Sequence, residues 1–135
     1  MNNMTLFAAG SLRLAFTPLL AAFEQESGHQ VEATFGPAGM LRERIERWER
    51  PQVFASANLE HPQRLVALDF AQAVQPFTRN RLCATVRNIP ELTQPDLLTL
   101  LCDPQWRVGT STPLADPSGD YAQQLFDHLE RLLPG

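Results

Sequence analysis

Three short turns in this chain place small residues or hydroxyls directly before a predicted helix. They are Ala8-Ala9-Gly10-Ser11, Gly36-Pro37-Ala38-Gly39 and Asp116-Pro117-Ser118-Gly119. Unpaired backbone N–H groups and the positive end of the helix dipole point out of such a turn, which suits an anion. Small residues also let the backbone approach a ligand closely. The agreement of the three turns predicts a receptor for a small oxyanion.

The candidate oxyanion-binding residues are Ser11, Ala38, Gly39 and Ser118. Ser11 and Ser118 each supply an N–H group and a hydroxyl, whereas Ala38 and Gly39 supply N–H groups only. A tetrahedral oxyanion presents acceptors and no donors, so a selective receptor should present donors. Taken singly, each turn is equally well explained as an ordinary helix N-cap.

The sequence patterns of common enzymes are missing. There is no Gly-x-Ser-x-Gly elbow and no Gly-x-x-x-x-Gly-Lys phosphate loop, and no histidine lies near Ser11 in sequence. Asp116 and Asp120 flank the third turn, and we expect them to be capping and loop residues rather than a general acid/base pair. We therefore expect a binding protein rather than an enzyme, with no catalytic residue and no cofactor.

The composition argues against several classes of binding partner. The chain has 135 residues, of which 44% are hydrophobic and 19% charged, and its net charge is -4; this is enough for one modest core. No basic block is interleaved with aromatic residues, which argues against nucleic acid as a partner. No apolar run approaches the roughly 20 residues that span a bilayer, so we expect no direct membrane insertion. The first five residues do not resemble a signal peptide, which leaves open a cytoplasmic protein or a signal that has been removed.

Cysteines and histidines give little functional signal. Cys83 and Cys102 lie among apolar neighbours and are predicted to be buried small side chains, although a disulfide stays open. His29, His61 and His128 are scattered without metal-ligand spacing, so we expect surface or loop histidines and no metal site.

Strand and helix patterns alternate along the chain. Strands are predicted at 5–8, 31–35, 53–57, 81–86 and 106–110, and helices at 12–25, 39–49, 62–68, 95–102 and 121–133. This alternation predicts an α/β fold with a parallel-rich sheet and helices on both faces. Ligands in such sheets bind at the carboxyl ends of strands, where the three turns fall. The second unit has only two strands and two helices, which is thin for an independent core, so we expect a fragment or a truncated gene product.

At these residues the chain resembles the periplasmic molybdate-binding proteins of ABC transporters, within the type II solute-binding fold. The resemblance covers nearly the whole chain in order. It is carried by five segments: Phe7–Leu12, Phe35–Leu41, Val53–Asn58, Gly109–Pro113 and Asp116–Ala122.

The resemblance implies two α/β lobes, 1–78 and a partial 79–135, joined by a hinge crossover, with the oxyanion held in the cleft between them. Molybdate or tungstate would be bound by hydrogen bonds alone, without a cationic side chain and without any metal beyond the oxyanion itself. Ser11 and the Ala38-Gly39 turn would contact it from the first lobe and Ser118 from the second. The partner would be the membrane permease of an ABC transporter, and the location periplasmic.

The chain also departs from this family. The second turn reads Pro37-Ala38-Gly39 where well-studied members carry serines, and later ligand residues of the family, including a tyrosine, would lie beyond Gly135. We therefore expect an incomplete cleft unless a second copy completes it. Sulfate, phosphate or a small organic anion on the same fold, a cytoplasmic ligand-sensing domain, and an enzyme acting on a phosphate-containing substrate remain alternatives.

Overall fold

A computed structural model describes residues 2–92 and 96–133 of the chain. Strands and helices alternate through the first half, and helices alone follow. The elements are β1 (Asn3–Ala9), a 3-10 turn (Gly10–Leu12), α1 (Arg13–Ser27), β2 (Gln30–Gly36), α2 (Ala38–Glu46), β3 (Val53–Ala55), α3 (Glu60–Ala67), a second 3-10 turn (Pro90–Leu92), α4 (Leu97–Cys102) and α5 (Pro117–Leu132).

The three strands form one parallel sheet in the order β2-β1-β3. The β1–β2 ladder runs in register from Asn3 opposite Gln30 to Ala9 opposite Gly36. Strand β3 pairs with the other edge of β1, beginning with Leu6 opposite Val53. Parallel neighbours need a crossover segment between them, and the helices α1 and α2 supply it. The predicted α/β fold with a parallel sheet is therefore confirmed.

Alternate residues of β1 point to opposite faces of the sheet and divide the core in two. On one face Phe7 packs with residues of α2 and α3: Leu41, Ile45 and Leu65. On the other face Leu6 and Ala8 pack with Ala55 and against the α1 side chains: Leu12, Phe16 and Leu20. Helices thus cover both faces of the sheet, as predicted.

The first two helices end at residues other than the predicted ones. Gly28 ends α1 in the left-handed conformation, with φ of 75°, as expected for a residue without a side chain. Pro18 lies inside α1 without ending it. Helix α2 stops at Glu46 rather than at the predicted residue 49, and Trp48, which lies beyond its end, adopts a φ of 94° and is 82% exposed.

Two predicted strands in the second half are wrong. Residues 81–86 and 106–110 form neither strand nor helix, and Leu82 and Val108 are about half exposed. A strand is stable only when a neighbour satisfies its backbone groups, and neither segment pairs with another within the described residues. Helix α4 ends at Cys102 as predicted and begins at Leu97 with Asp96 as its N-cap, whereas Pro95 lies outside the described residues.

Helix α5 begins at Pro117, four residues earlier than predicted, because Asp116 caps it. Cys83 and Cys102 are both exposed free thiols, so the prediction that they are buried is wrong. Their segments lack the sheet that would have covered them. The described residues 71–89, which contain the predicted boundary near residue 78, form no regular element. The division into two lobes stays a prediction.

Candidate functional site

The carboxyl ends of β1 and β2 lie side by side and position the first two turns. Ala9 is opposite Gly36 in the ladder, and a Cβ atom on Gly10 would lie 3.9 Å from the carbonyl oxygen of Gly36. Ser11 follows in the 3-10 turn that leads into α1, and it is exposed. The sheet therefore brings Ser11 and the Ala38-Gly39 turn to one edge, as parallel strands require.

The second turn is buried, and one of its N–H groups is hydrogen-bonded within the protein. Ala38 and Gly39 are both buried at the first turn of α2. The N–H group of Gly39 donates a hydrogen bond to the carbonyl oxygen of Ala115, at 3.2 Å. This N–H group was predicted to be open to an anion, but a neutral protein oxygen occupies it in this conformation.

The third turn lies beside the second because Ala115 directly precedes it. The carboxylate of Asp116 accepts the N–H group of Ser118 at 3.2 Å, as an N-cap does. The exposed Ser118 hydroxyl forms a short hydrogen bond with the hydroxyl of Ser111. Ser118 thus has partners for both the N–H group and the hydroxyl that were predicted to face a ligand.

Sequence position and structure together link the three turns. The β1–β2 ladder joins the first turn to the second, and the Gly39–Ala115 hydrogen bond joins the second to the third. Within the described part of the chain, no hydrogen bond connects Ser11 with Ser118. The start of α2 is therefore the turn to which each of the other two is linked.

Both carboxylates near this site accept backbone N–H groups of the protein. Asp120 lies in the first turn of α5, where the helix dipole favours an acid, and its Oδ1 accepts the N–H group of Leu114 at 2.6 Å. Asp116 is engaged by Ser118. The expectation that both acids serve as capping and loop residues is confirmed.

Sequence reasoning missed three residues around the site. Ser111, the partner of Ser118, lies in the Gly109–Pro113 segment, whose hydroxyl run was the available signal. Arg13 lies one turn into the first helical segment, and its guanidinium sits 4.9 Å from the centre of the Phe35 ring at the end of β2. A cation therefore lies near this edge of the sheet, where hydrogen bonds alone were expected.

His61 is the third missed residue, because it was expected at the surface and is buried. Burial lowers the pKa of its imidazole, and the charge of Arg42 on α2 lowers the pKa further, whereas Asp120 on α5 opposes both effects. Its Nε2 atom has no hydrogen-bond partner among the described residues. The available signal was helical spacing, since Leu65, which is also buried, lies one turn further on the same face of α3.

Other features lie apart from these turns. Two shallow surface depressions, along 98–104 and 66–72, contain none of the predicted site residues. Among residues 2–92 and 96–133, no group of three or more His, Cys, Asp or Glu side chains is arranged to hold a metal ion. In the same residues, no helix combines the length and apolar character that crossing a membrane requires.

Comparison with protein families identifies the class of the chain. The family described as "Bacterial extracellular solute-binding protein" matches residues 4–134. The chain therefore belongs to the bacterial extracellular solute-binding protein family.

Two relatives of this chain are described as uncharacterized proteins. An uncharacterized protein of Pasteurella multocida (strain Pm70) is 46% identical over 129 residues, which are 95% of this chain and 54% of the relative. An uncharacterized protein of Haemophilus influenzae is 33% identical over 105 residues, or 76% of this chain and 90% of that protein. The chain thus spans about half the length of its Pasteurella relative.

Among solved structures, the chain is similar to one described as "substrate binding domain of putative molybdenum ABC transporter from Clostridium difficile". The TM-score is 0.49 at 20% sequence identity, and the match covers 50% of this chain and 30% of that one.

Proposed function

We propose that this chain is the oxyanion-capturing part of a periplasmic solute-binding protein that serves an ABC transporter, with molybdate or tungstate as its cargo. Membership of the extracellular solute-binding family supports solute capture. The observation that carries the choice of an anion is the register of Ala9 with Gly36, because it places Ser11 and the start of α2 at the same sheet edge.

The donor set explains how a dianion would be chosen. Ser11 contributes a hydroxyl and an N–H group, the first turn of α2 contributes N–H groups, and Ser118 contributes a hydroxyl. The two nearby carboxylates, Asp116 and Asp120, each accept a backbone N–H group of the protein at Oδ1 and are not counted among the ligand-binding groups. An all-donor site favours a fully deprotonated anion over phosphate, which keeps a proton at neutral pH and needs an acceptor for it.

The two-lobe arrangement forms part of this proposal. Residues 1–78 would contribute Ser11 with the Ala38-Gly39 turn, and residues 79–135 would contribute Ser118. Closure of the lobes on the anion would produce the form that the permease recognises. The chain would bind and release its cargo without changing it chemically.

A thermal-shift panel with molybdate, tungstate, sulfate and phosphate tests the proposal, since a ligand that binds only the native state raises its stability. We expect stabilisation by molybdate and tungstate. Stabilisation by sulfate or phosphate alone would reassign the cargo, and no shift with any of the four would overturn oxyanion binding.

Titration calorimetry with Ser11→Ala locates the site. Removing a hydrogen bond to a charged group should weaken molybdate binding by roughly 1–3 kcal/mol. Ser27→Ala is the matched control, because Ser27 lies at the far end of α1 and its hydroxyl donates to the Phe23 carbonyl. Equal affinities for the two variants would exclude the Ser11 hydroxyl as a ligand.

A further inference from the structure

Residues 111–116, here called the strap, lie across the start of α2. The contact is the hydrogen bond from the Gly39 N–H group to the Ala115 carbonyl oxygen, at 3.2 Å. The first N–H groups of a helix have no partner inside the helix and must be satisfied from outside. The strap therefore satisfies the same kind of donor that an anion would use.

The approach is close enough to require glycine on both sides of the strap. A Cβ atom on Gly39 would collide with the carbonyl oxygen of Leu114, and one on Gly119 would collide with the carbonyl oxygen of Ser111. Gly39 belongs to α2 and Gly119 to α5. The strap is thus enclosed between the starts of two helices, each of which has a glycine at the contact.

Hydrogen bonds from α5 hold the strap in this place. Asp120 accepts the Leu114 N–H group at 2.6 Å, and the Asp116 N–H group donates to the Thr112 carbonyl at 3.0 Å. Leu114 adopts a φ of 70°, in the left-handed region that side chains with a Cβ disfavour, and it is 81% exposed. Because its side chain is mostly exposed, Leu114 affects the strap through its backbone conformation rather than through packing.

We propose that the strap is an internal competitor for the oxyanion: the Ala115 carbonyl holds the Gly39 N–H group until an anion displaces it. This inference rests on the proposed function of the same site. A dianion is a stronger acceptor than a neutral carbonyl, so it can replace Ala115. The strap lowers the affinity, because the apparent dissociation constant equals the intrinsic one divided by the fraction of molecules in which the strap is lifted.

Two substitutions at Leu114 change the strap without changing charge or removing an N–H group. Asparagine tolerates a positive φ better than leucine, so Leu114→Asn should hold the strap in place. Valine is β-branched and disfavours that conformation, so Leu114→Val should lift it. Because the side chain is mostly exposed, we expect both variants to fold, which circular dichroism verifies.

The experiment measures molybdate affinity by calorimetry and, without anion, amide hydrogen exchange at Gly39. Relative to the unaltered chain, Leu114→Val should bind molybdate several-fold more tightly and exchange the Gly39 proton faster. Leu114→Asn should bind several-fold more weakly and exchange it more slowly.

The outcomes separate this inference from the proposed function. If the unaltered chain binds molybdate and the two variants shift affinity in the same direction, or not at all, the strap is not a competitor and oxyanion binding stands. If none of the three proteins binds molybdate, tungstate, sulfate or phosphate, the proposed function is overturned and the competitor role falls with it. Gly39 exchange then still shows whether the strap responds to the backbone preference at Leu114.

Discussion

The two halves of this molecule differ in how they obtain their order. Residues 2–71 contain the three-stranded sheet and both apolar clusters. Residues 72–133, apart from the undescribed 93–95, contain helices and irregular segments, and their buried apolar side chains among the described residues are Leu92, Pro117 and Ala122. The first half makes its own core, whereas the second half is ordered mainly where it meets the first.

That meeting point is the start of α5. Pro117, Gly119 and Ala122 are its buried residues, and the strap next to them carries the hydrogen bond to Gly39. A helix whose cap and apolar spacing favour it, such as α5, still needs a surface of the protein to pack against. Here the start of α5 contacts the strap, and the strap in turn contacts the start of α2 in the first half.

The largest expected effect tests where the core lies. Leu65 is 2% exposed and packs with Phe7, so Leu65→Ala should lower the free energy of unfolding by about 2–5 kcal/mol. Leu132→Ala removes the same atoms from a side chain that is 62% exposed, and it should cost less than about 0.5 kcal/mol. Urea denaturation compares the two, and equal losses would contradict the assignment of the core to the first half.

A smaller effect is expected at the junction of the halves. Gly39→Ala places a methyl group against the Leu114 carbonyl, so it should destabilise the chain by about 1–3 kcal/mol or displace the strap. Gly109→Ala is the control, since nothing lies within 4 Å of a Cβ atom there. Thermal unfolding gives the stability, and amide exchange at Ala115 and Asp116 reports displacement. If Gly39→Ala behaved like Gly109→Ala in both measurements, the close contact between α2 and the strap would be absent.

The smallest effect is a pH dependence that distinguishes two histidines. Burial and the charge of Arg42 lower the pKa of His61 in the folded state, with Arg64 adding to this and Asp120 and Glu60 opposing it. The unfolded chain therefore takes up a proton more readily, and stability should fall as the pH drops below the ordinary histidine value of about 6.5. His61→Gln should lose less stability between pH 7.5 and pH 5.5 than the unaltered chain does.

His128→Gln is the control for this measurement, because His128 is exposed on α5. Denaturant titrations at several pH values provide the data. A pH dependence that disappears with His128 rather than with His61 would contradict the role of the buried imidazole.

Sequence predicted the first half well because its signals are local and agree with one another. Leu12, Phe16 and Leu20 recur at helical spacing and do face the sheet. Gly28 ends α1 as a residue without a Cβ should. In α2, Trp48 continues the apolar spacing of Leu41 and Ile45 but lies beyond the end of the helix. Apolar periodicity does not determine the residue at which a helix ends.

The second half was predicted less well because strands depend on partners that local sequence does not reveal. Leu82-Cys83-Ala84-Thr85-Val86 has the composition of a buried strand, yet no neighbour pairs with it in the described residues. Asp116 and Ser118, in contrast, form a cap that neighbouring residues determine, so its chemistry was predictable.

In the candidate site, too, some features follow from local sequence and others depend on tertiary contacts. That Ser11 and the start of α2 share a sheet edge follows from the parallel alternation of elements. That a carbonyl 76 positions away would occupy the Gly39 N–H group depends on a tertiary contact, and no periodicity encodes it. The role of these residues toward an anion stays a prediction until binding is measured.

The central position of β1 also affects how the chain is made. During synthesis β1 leaves the ribosome before its two partner strands, and its contact with the region of β3 joins Thr5 to Gln52, 47 residues later. Until then an apolar stretch that includes Leu6 and Phe7 has at least one unsatisfied edge, and pairing between nascent chains competes with folding. Slowing translation just before residue 52 should therefore increase aggregation, whereas a pause after β3 has emerged should not.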